Sequence, residues 1–181
     1  YLGEMIENAL GNGERYGVNI QYSPEKVVLE TAGGIANALP FLTGQSGNLQ
    51  FLVVNADIYC DMDYASLLPA MRALRLNSNQ RLAHLVLIDN PPHHAEGDFA
   101  LQGDQVMLTG GNKLTFSGIG IYQPQFFNEI KPGLPVKLAP LLRQAMQAGR
   151  VSGEYFSGQW VDVGTPERLE LLDKQLKSQL E

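Results

Sequence analysis

Residues 51–58 constrain the fold of this chain more than any other stretch. Phe51-Leu52-Val53-Val54 is an unbroken apolar run, and it ends in Asn55-Ala56-Asp57. A short apolar run of this kind reads as a buried parallel strand that delivers a carboxylate at its C-terminal end. In open α/β sheets ligands gather at that end. Asp57 is therefore the first candidate for chemistry, with a bound cation as the natural partner of such a carboxylate. Turn and cap formation is the competing reading of Asp57, because Asp61 and Asp63 follow in a polar loop and suit the start of a helix. A second strand-end aspartate, Asp162, lies in Trp160-Val161-Asp162-Val163-Gly164-Thr165. Thr165 and Pro166 already explain the helix that follows, so Asp162 is not needed as a cap. Two distant strand-end carboxylates suit a cage for Mg²⁺.

The chain has 181 residues, 44% hydrophobic and 18% charged, which is enough for one domain with a real core. A net charge of −6 argues against a nucleic-acid partner, which would select a basic surface. It leaves room for an anionic small molecule whose charge a metal ion offsets locally. Cys60 is the single cysteine, so no internal disulfide forms and a reducing, cytoplasmic setting is expected. No apolar run approaches the roughly 20 residues that span a bilayer, and no membrane partner is expected.

The pattern predicts a helix over residues 1–10 ending at Gly11-Asn12-Gly13, a strand over 18–22, and a small-residue loop, Thr31-Ala32-Gly33-Gly34, entering a helix. After a loop at 44–48 and the strand at 51–57, it predicts a helix over 64–76 with Pro69 in its first turn. A buried strand over 82–88 and alternating strands over 98–122 follow, with turns at Gly103-Asp104 and Gly110-Gly111-Asn112. A helix over 138–148 ends at Gly149, two strands over 151–163 break at Ser157-Gly158, and the last helix carries Leu169, Leu172, Leu176 and Leu180 on one face. Helices alternate with strands first and antiparallel strands accumulate later, so the expected architecture is a mixed α/β sheet with a nucleotide-type site at its C-terminal edge.

Other chemistry-bearing residues are less distinctive. Bare backbone at Gly33-Gly34 would let a base or phosphate come close to a helix start, although such pairs are more often turns. Adjacent His93 and His94 make a poor metal pair; an exposed polar loop is the commoner reading, and contact with a phosphate or sugar is the other. Lys113 and Lys137 could each meet an anion. There is no Gly-x-Ser-x-Gly elbow, no dinucleotide glycine fingerprint and no basic neighbour that would activate Cys60.

Four motifs in order carry a resemblance. Glu30-Thr31-Ala32-Gly33-Gly34-Ile35, Val53-Val54-Asn55-Ala56-Asp57, Thr115-Phe116-Ser117-Gly118-Ile119 and Trp160 to Thr165 stand as they do in sugar-1-phosphate nucleotidylyltransferases. The chain resembles that family over essentially all its length. Asp89 to His94, Gly97-Asp98-Phe99 and Lys137 to Met146 resemble its uridylyltransferase branch in cell-wall sugar recycling.

The resemblance implies a Rossmann-like nucleotidyltransferase fold with a mixed, mostly parallel sheet. It implies attack of a sugar-1-phosphate on the α-phosphate of a nucleoside triphosphate, UTP in that branch, with Mg²⁺ held by Asp57 and Asp162. By the same resemblance Thr31, Gly33 and Gly34 lie beside the nucleotide. Asn55, Asp98, Phe116, Ser117, Gly118 and Lys113 surround the sugar phosphate. A guanylyl- or thymidylyltransferase acting on another hexose phosphate, or a non-catalytic sugar-nucleotide binder, are the rival readings.

Two departures stand out. Ala56 occupies a position where the family has Gly. Nothing in the chain matches the family's opening glycine-rich, arginine-bearing loop or its Pro-Lys signature. The resemblance therefore implies a single domain over residues 1–181 that starts after the second strand of its fold. The segment alone is expected to be inactive, and its unpaired sheet edges are expected to favour homo-oligomers.

Overall fold

The computed structural model describes residues 2–44, 49–77 and 80–178. Five α-helices and eight strands occur among them: α1 (Gly3–Leu10), α2 (Glu30–Leu42), β1 (Phe51–Val54), β2 (Ile58–Cys60), α3 (Leu68–Leu76), β3 (Ala83–Ile88), β4 (Phe99–Gln102), β5 (Gln105–Met107), β6 (Lys113–Tyr122), α4 (Leu138–Gln147), β7 (Val151–Tyr155), β8 (Trp160–Asp162) and α5 (Pro166–Ser178). Six strands form one sheet in the order β1-β6-β3-β7-β5-β4, and β4 also pairs with β6. Strands β2 and β8 form a separate ribbon.

The central strand β3 is buried at every residue because both of its faces are covered. Ala83, Leu85 and Leu87 point into a core shared with Ala32 and Ala36 of α2 and with Leu142, Ala145 and Met146 of α4. Val86 points the other way, into a smaller core with Leu67, Leu74, Ile119 and Ile121 under α3. This is the period-two alternation of a strand between two helical layers. Phe51, Tyr122, Phe126 and Phe127 pack at one end of the larger core, with the rings of Phe126 and Phe127 4.9 Å apart and edge to face.

The sheet is mixed as expected, but it is not mostly parallel. Among the described pairings only β3 with β7 is parallel. Strand β1 is antiparallel to β6 and is buried at Phe51 but exposed at Val54, so it is neither parallel nor buried throughout. Its apolar composition reports half-burial, and composition carries no information on partner direction. Residues 18–22 form no strand. Asn12 and Gly13 bond back to this stretch instead, with the amide of Ile20 donating to Asn12 O at 2.9 Å.

The helix expected after a Gly33-Gly34 loop begins earlier, at Glu30, and takes both glycines inside. The helix over 64–76 is a 3₁₀ turn followed by α3, with Pro69 in the first turn and Asp63 accepting from the amide of Ala65 at 2.9 Å. In α5 the amide of Arg168 donates to Thr165 Oγ1, as the cap predicts. Leu172 is buried and Leu169 is exposed. Leu180, and residues 45–48 of the expected loop, lie outside the described residues.

One irregularity shapes the site. Leu85 pairs with Gly120 but Leu87 pairs with Phe116, so Ser117, Gly118 and Ile119 stand opposite Val86 alone. The bulge is held by its own polar atoms. Ser117 Oγ donates to Val86 O at 2.8 Å and accepts from the amide of Ile119. Gly118 sits at φ +80°, where a Cβ would come within 2.8 Å of the Asn55 side chain.

Two outcomes follow from this packing. A Cβ on Gly153 in β7 would lie 2.5 Å from Val106 and 2.7 Å from Leu85 O, whereas one on Gly3 meets nothing within 4 Å. Gly153→Ala is expected to cost about 1–3 kcal/mol in denaturant unfolding, with Gly3→Ala neutral or better.

Buried His84, on β3, contacts Ser152 Oγ at 3.0 Å and Glu154 at 3.2 Å. Burial holds its imidazole below the ordinary 6.5, with Glu154 pulling it back up. The unfolded chain then binds the proton more readily than the folded one. The stability tied to this group is complete above about pH 6.5 and is lost as pH falls through it. Thermal unfolding between pH 7.5 and 5.5 should show that loss in the wild type and less of it in His84→Gln.

Candidate active site

The bulge of β6 and the β2–β8 ribbon face one another across a cleft of about 300 Å³. Backbone pairing builds it. Ile58 is opposite Asp162 in the ribbon, and the amide of Val163 donates to Asp57 O at 2.9 Å. Trp160 Nε1 donates to Ser117 O at 2.9 Å and locks the ribbon onto the bulge. On the other side the amide of Asn55 donates to Gly118 O. Asp57 and Asp162 thus arrive from two distant segments on the same wall.

Their carboxylates converge at Gly164. A Cβ built there would be 3.0 Å from Asp162 Oδ1 and 3.5 Å from Asp57 Oδ2. Asp162 is oriented from several sides. Its Oδ1 accepts from the amide of Gly164 at 2.8 Å and from Arg168 Nη2 at 3.0 Å, and its Oδ2 lies 3.5 Å from His93 Nε2. Among the described residues nothing donates to the Asp57 carboxylate. Two hard carboxylates on one wall of a cleft fit a small divalent cation. No group of three or more acidic, His or Cys side chains joins them among the described residues. Such a donor set suits a hard divalent ion that completes its shell with phosphate oxygens and water.

A second cleft of about 370 Å³ shares Asn55 and Phe116 with the first and continues to Glu30, Thr31, Asp98 and Lys137. The expected site residues divide among these places. Asn55, Asp57, Phe116, Ser117, Gly118 and Asp162 line the first cleft; Thr31 and Asp98 line the second. The Ser117 hydroxyl is buried in the bulge and already bonded, so this residue offers the cleft its backbone more than its side chain.

Gly33 and Gly34 line neither cleft. The backbone of Leu134 and Val136 lies against Gly33, and Val136 O accepts from the amides of Ala32 and Gly33, so this helix start is not bare. Gly34 makes room for the Glu25 carboxylate, which accepts from the amide of Leu29 at 3.0 Å. Lys113 is exposed at the start of β6, where its carbonyl accepts from Asn90, and it lines neither cleft.

Sequence reasoning did not single out Arg168 or Trp160. Arg168 lies one turn into α5, beside the Thr165 cap; a cation at that position was the available signal. Cys60 sits in the ribbon, where burial first, and the charge of Asp61 in addition, push its thiol up against a bond from the Met62 backbone. That environment disfavours the thiolate a nucleophile needs.

Residues 1–97 match the nucleotidyl transferase family model. The chain belongs to the nucleotidyl transferase family. It is 50% identical over 173 residues to N-acetylmuramate alpha-1-phosphate uridylyltransferase of Neisseria meningitidis serogroup B, covering 93% of this chain and 72% of that protein. It is 26% identical over 175 residues to the mannose-1-phosphate guanylyltransferase catalytic subunit beta of Xenopus tropicalis, covering 92% of this chain. The match spans 47% of the Xenopus protein, so the chain covers about half of that relative's length.

Solved structures share the fold. HddC from Yersinia pseudotuberculosis superposes with a TM-score of 0.69 at 17% identity, over 97% of this chain and 75% of its own. UDP-glucose pyrophosphorylase complexed with UDP-glucose gives 0.63 at 20% identity, over 97% and 73%. This nucleotidyl transferase therefore shares its fold with both structures. No helix among its described residues is long and apolar enough to cross a membrane.

Gly164→Ala probes the convergence point directly. The added methyl would press on Asp162 Oδ1 without a core clash. Stability should stay within about 1 kcal/mol of wild type. Mn²⁺ binding, read by calorimetry, should weaken on the order of tenfold or more as the carboxylates are displaced.

Proposed function

We propose that the full-length protein transfers a uridylyl group from UTP to N-acetylmuramate α-1-phosphate, giving UDP-N-acetylmuramate and pyrophosphate. The observation that carries the reaction class is that Asp57 and Asp162, from two distant segments, line one cleft with an oxygen of each near Gly164. The substrate pair rests on the relative that is 50% identical over 93% of the chain. The reading places the enzyme in the cytoplasm, in peptidoglycan recycling, with residues 1–181 as one nucleotidyltransferase domain. Mg²⁺ is the cofactor proposed for Asp57 and Asp162.

The chemistry asks little covalent work of the protein. A sugar phosphate oxygen forms a bond to the α-phosphorus of UTP, and the bond from that phosphorus to the pyrophosphate oxygen breaks. Both reactants are anions, so the task is in-line positioning and local neutralisation. A bound divalent ion supplies positive charge at the phosphates. Asp57 and Asp162 fix where that charge sits, and Arg168 and Gly164 fix the rotamer of Asp162. Trp160 keeps the ribbon on the bulge, so the two carboxylates keep their spacing. Asn55 and Phe116 stand at the junction of the two clefts, where a sugar phosphate meets a nucleotide in this reading.

The test is pyrophosphate release by the full-length protein with UTP, Mg²⁺ and N-acetylmuramate α-1-phosphate. Turnover is expected, with a loss on the order of 10²-fold or more in both Asp57→Asn and Asp162→Asn. Turnover only with another sugar phosphate or nucleotide would keep the chemistry and remove the substrate. Binding of a UDP-sugar with no turnover of any pair would instead make the protein a sugar-nucleotide binder.

A further inference from the structure

The geometry points to His94 as the side chain that recognises a carboxylate on the sugar, a role that rests on the N-acetylmuramate reading above. By the resemblance Asp98 lies at the sugar, while His94 has two readings, an exposed polar loop or contact with a phosphate or sugar. Both oxygens of Asp98 are already engaged within the protein. Oδ2 accepts from the amide of Phe116 at 2.9 Å, and Oδ1 lies 3.1 Å from His94 Nε2. The pair therefore works in the other direction. Asp98 holds the ring, and Nδ1 of His94 is the ring's remaining polar atom.

His94 lines the first cleft and Asp98 lines the second. Of the side chains lining the first cleft, His93 and His94 are the ones able to carry positive charge. They split: His93 faces Asp162 at 3.5 Å, and His94 faces Asp98. The cleft thus has a phosphate-directed end at Asp57 and Asp162, and a second polar position at His94.

The ring is held in place in advance. Pro91 precedes a 3₁₀ turn over Pro92–His94, and the amide of His94 donates to Pro91 O at 2.8 Å. Asn90 Nδ2 donates to Ala95 O and to Lys113 O, and Thr115 Oγ1 donates to Asn90 Oδ1, which ties the turn to β6. A ring fixed this way loses little entropy when a ligand arrives.

N-acetylmuramate differs from N-acetylglucosamine by a lactyl ether that ends in a carboxylate. Set between Asp98 and that carboxylate, the ring turns Nε2 to the protein and Nδ1 to the sugar, so that each nitrogen meets an acceptor. A sugar phosphate without the lactyl group leaves Nδ1 without this partner. His94 is then a specificity residue that touches substrate, and Asp98 is a positioning residue acting through it.

The experiment compares kcat/KM for N-acetylmuramate α-1-phosphate and N-acetylglucosamine α-1-phosphate in the full-length protein, with UTP fixed. In His94→Gln the ratio of the two is expected to fall at least tenfold, chiefly through a raised KM for the lactyl substrate. Asp98→Asn should move the ratio in the same direction by a smaller factor. His94→Asn serves if the Gln variant does not fold. An unchanged ratio, with both substrates falling together, would overturn the role and make His94 structural. Wild-type turnover of other sugar phosphates but not of N-acetylmuramate α-1-phosphate would remove the substrate reading, and this role with it.

Discussion

The short β2–β8 ribbon is the constraint on which the site depends. Three residues on each side pair antiparallel, and Val163 closes the ladder onto Asp57 O. Without that pairing the two aspartates belong to unrelated loops. With it, both carboxylates meet beside Gly164. The ribbon is too small to be stable alone, since isolated two-stranded structures are marginal in water. It is anchored by the Trp160 bond to Ser117 O and by packing of Ile58 and Cys60 against the smaller core.

That anchorage explains the bulge in β6. A regular β6 would keep Ser117 and Gly118 in the ladder with β3. The inserted residues instead release Ser117 O toward Trp160 and Gly118 O toward Asn55. The cost is a disrupted register, offset by the Ser117 hydroxyl, which fills the gap by bonding Val86 O. Sheet irregularity and site geometry are therefore one feature. Rigid strands supply the position, and the bulge and turns supply the polar groups.

Much of this was legible in the sequence, and the parts that were not share a cause. β3, the turns at Gly103 and Gly110-Gly111, α4, and the Thr165-Pro166 start of α5 are written in local signals, and they fold as those signals say. The placement of Asp57 and Asp162 at strand ends was legible because a strand followed by an acidic turn is also a local pattern, and both line one cleft. Partner direction is not local. The run Phe51-Leu52-Val53-Val54 looks the same whether its neighbour is parallel or antiparallel, and it pairs antiparallel with β6. The stretch 18–22 alternates like a strand yet forms none, because the amides of Val18 and Ile20 donate to Gly13 O and Asn12 O of the preceding turn. Gly33 and Gly34 looked like a ligand-facing loop; they are close-approach positions inside a helix, and the residues that approach them, Leu134 and Glu25, are remote or polar. Arg168 and the His94–Asp98 pair were missed for the same reason, since each gains its meaning from what it touches across the cleft or the loop.

The proposed chemistry requires that Asp57 and Asp162 act as one divalent-cation site. Anomalous diffraction from crystals of the full-length protein grown with Mn²⁺ and a UDP-sugar would locate that ion. The expected result is a peak at coordination distance, roughly 2.0–2.3 Å, from oxygens of both carboxylates and next to a phosphate. A peak bound by only one of them, or lying elsewhere in the cleft while both aspartates keep only protein partners, would contradict it.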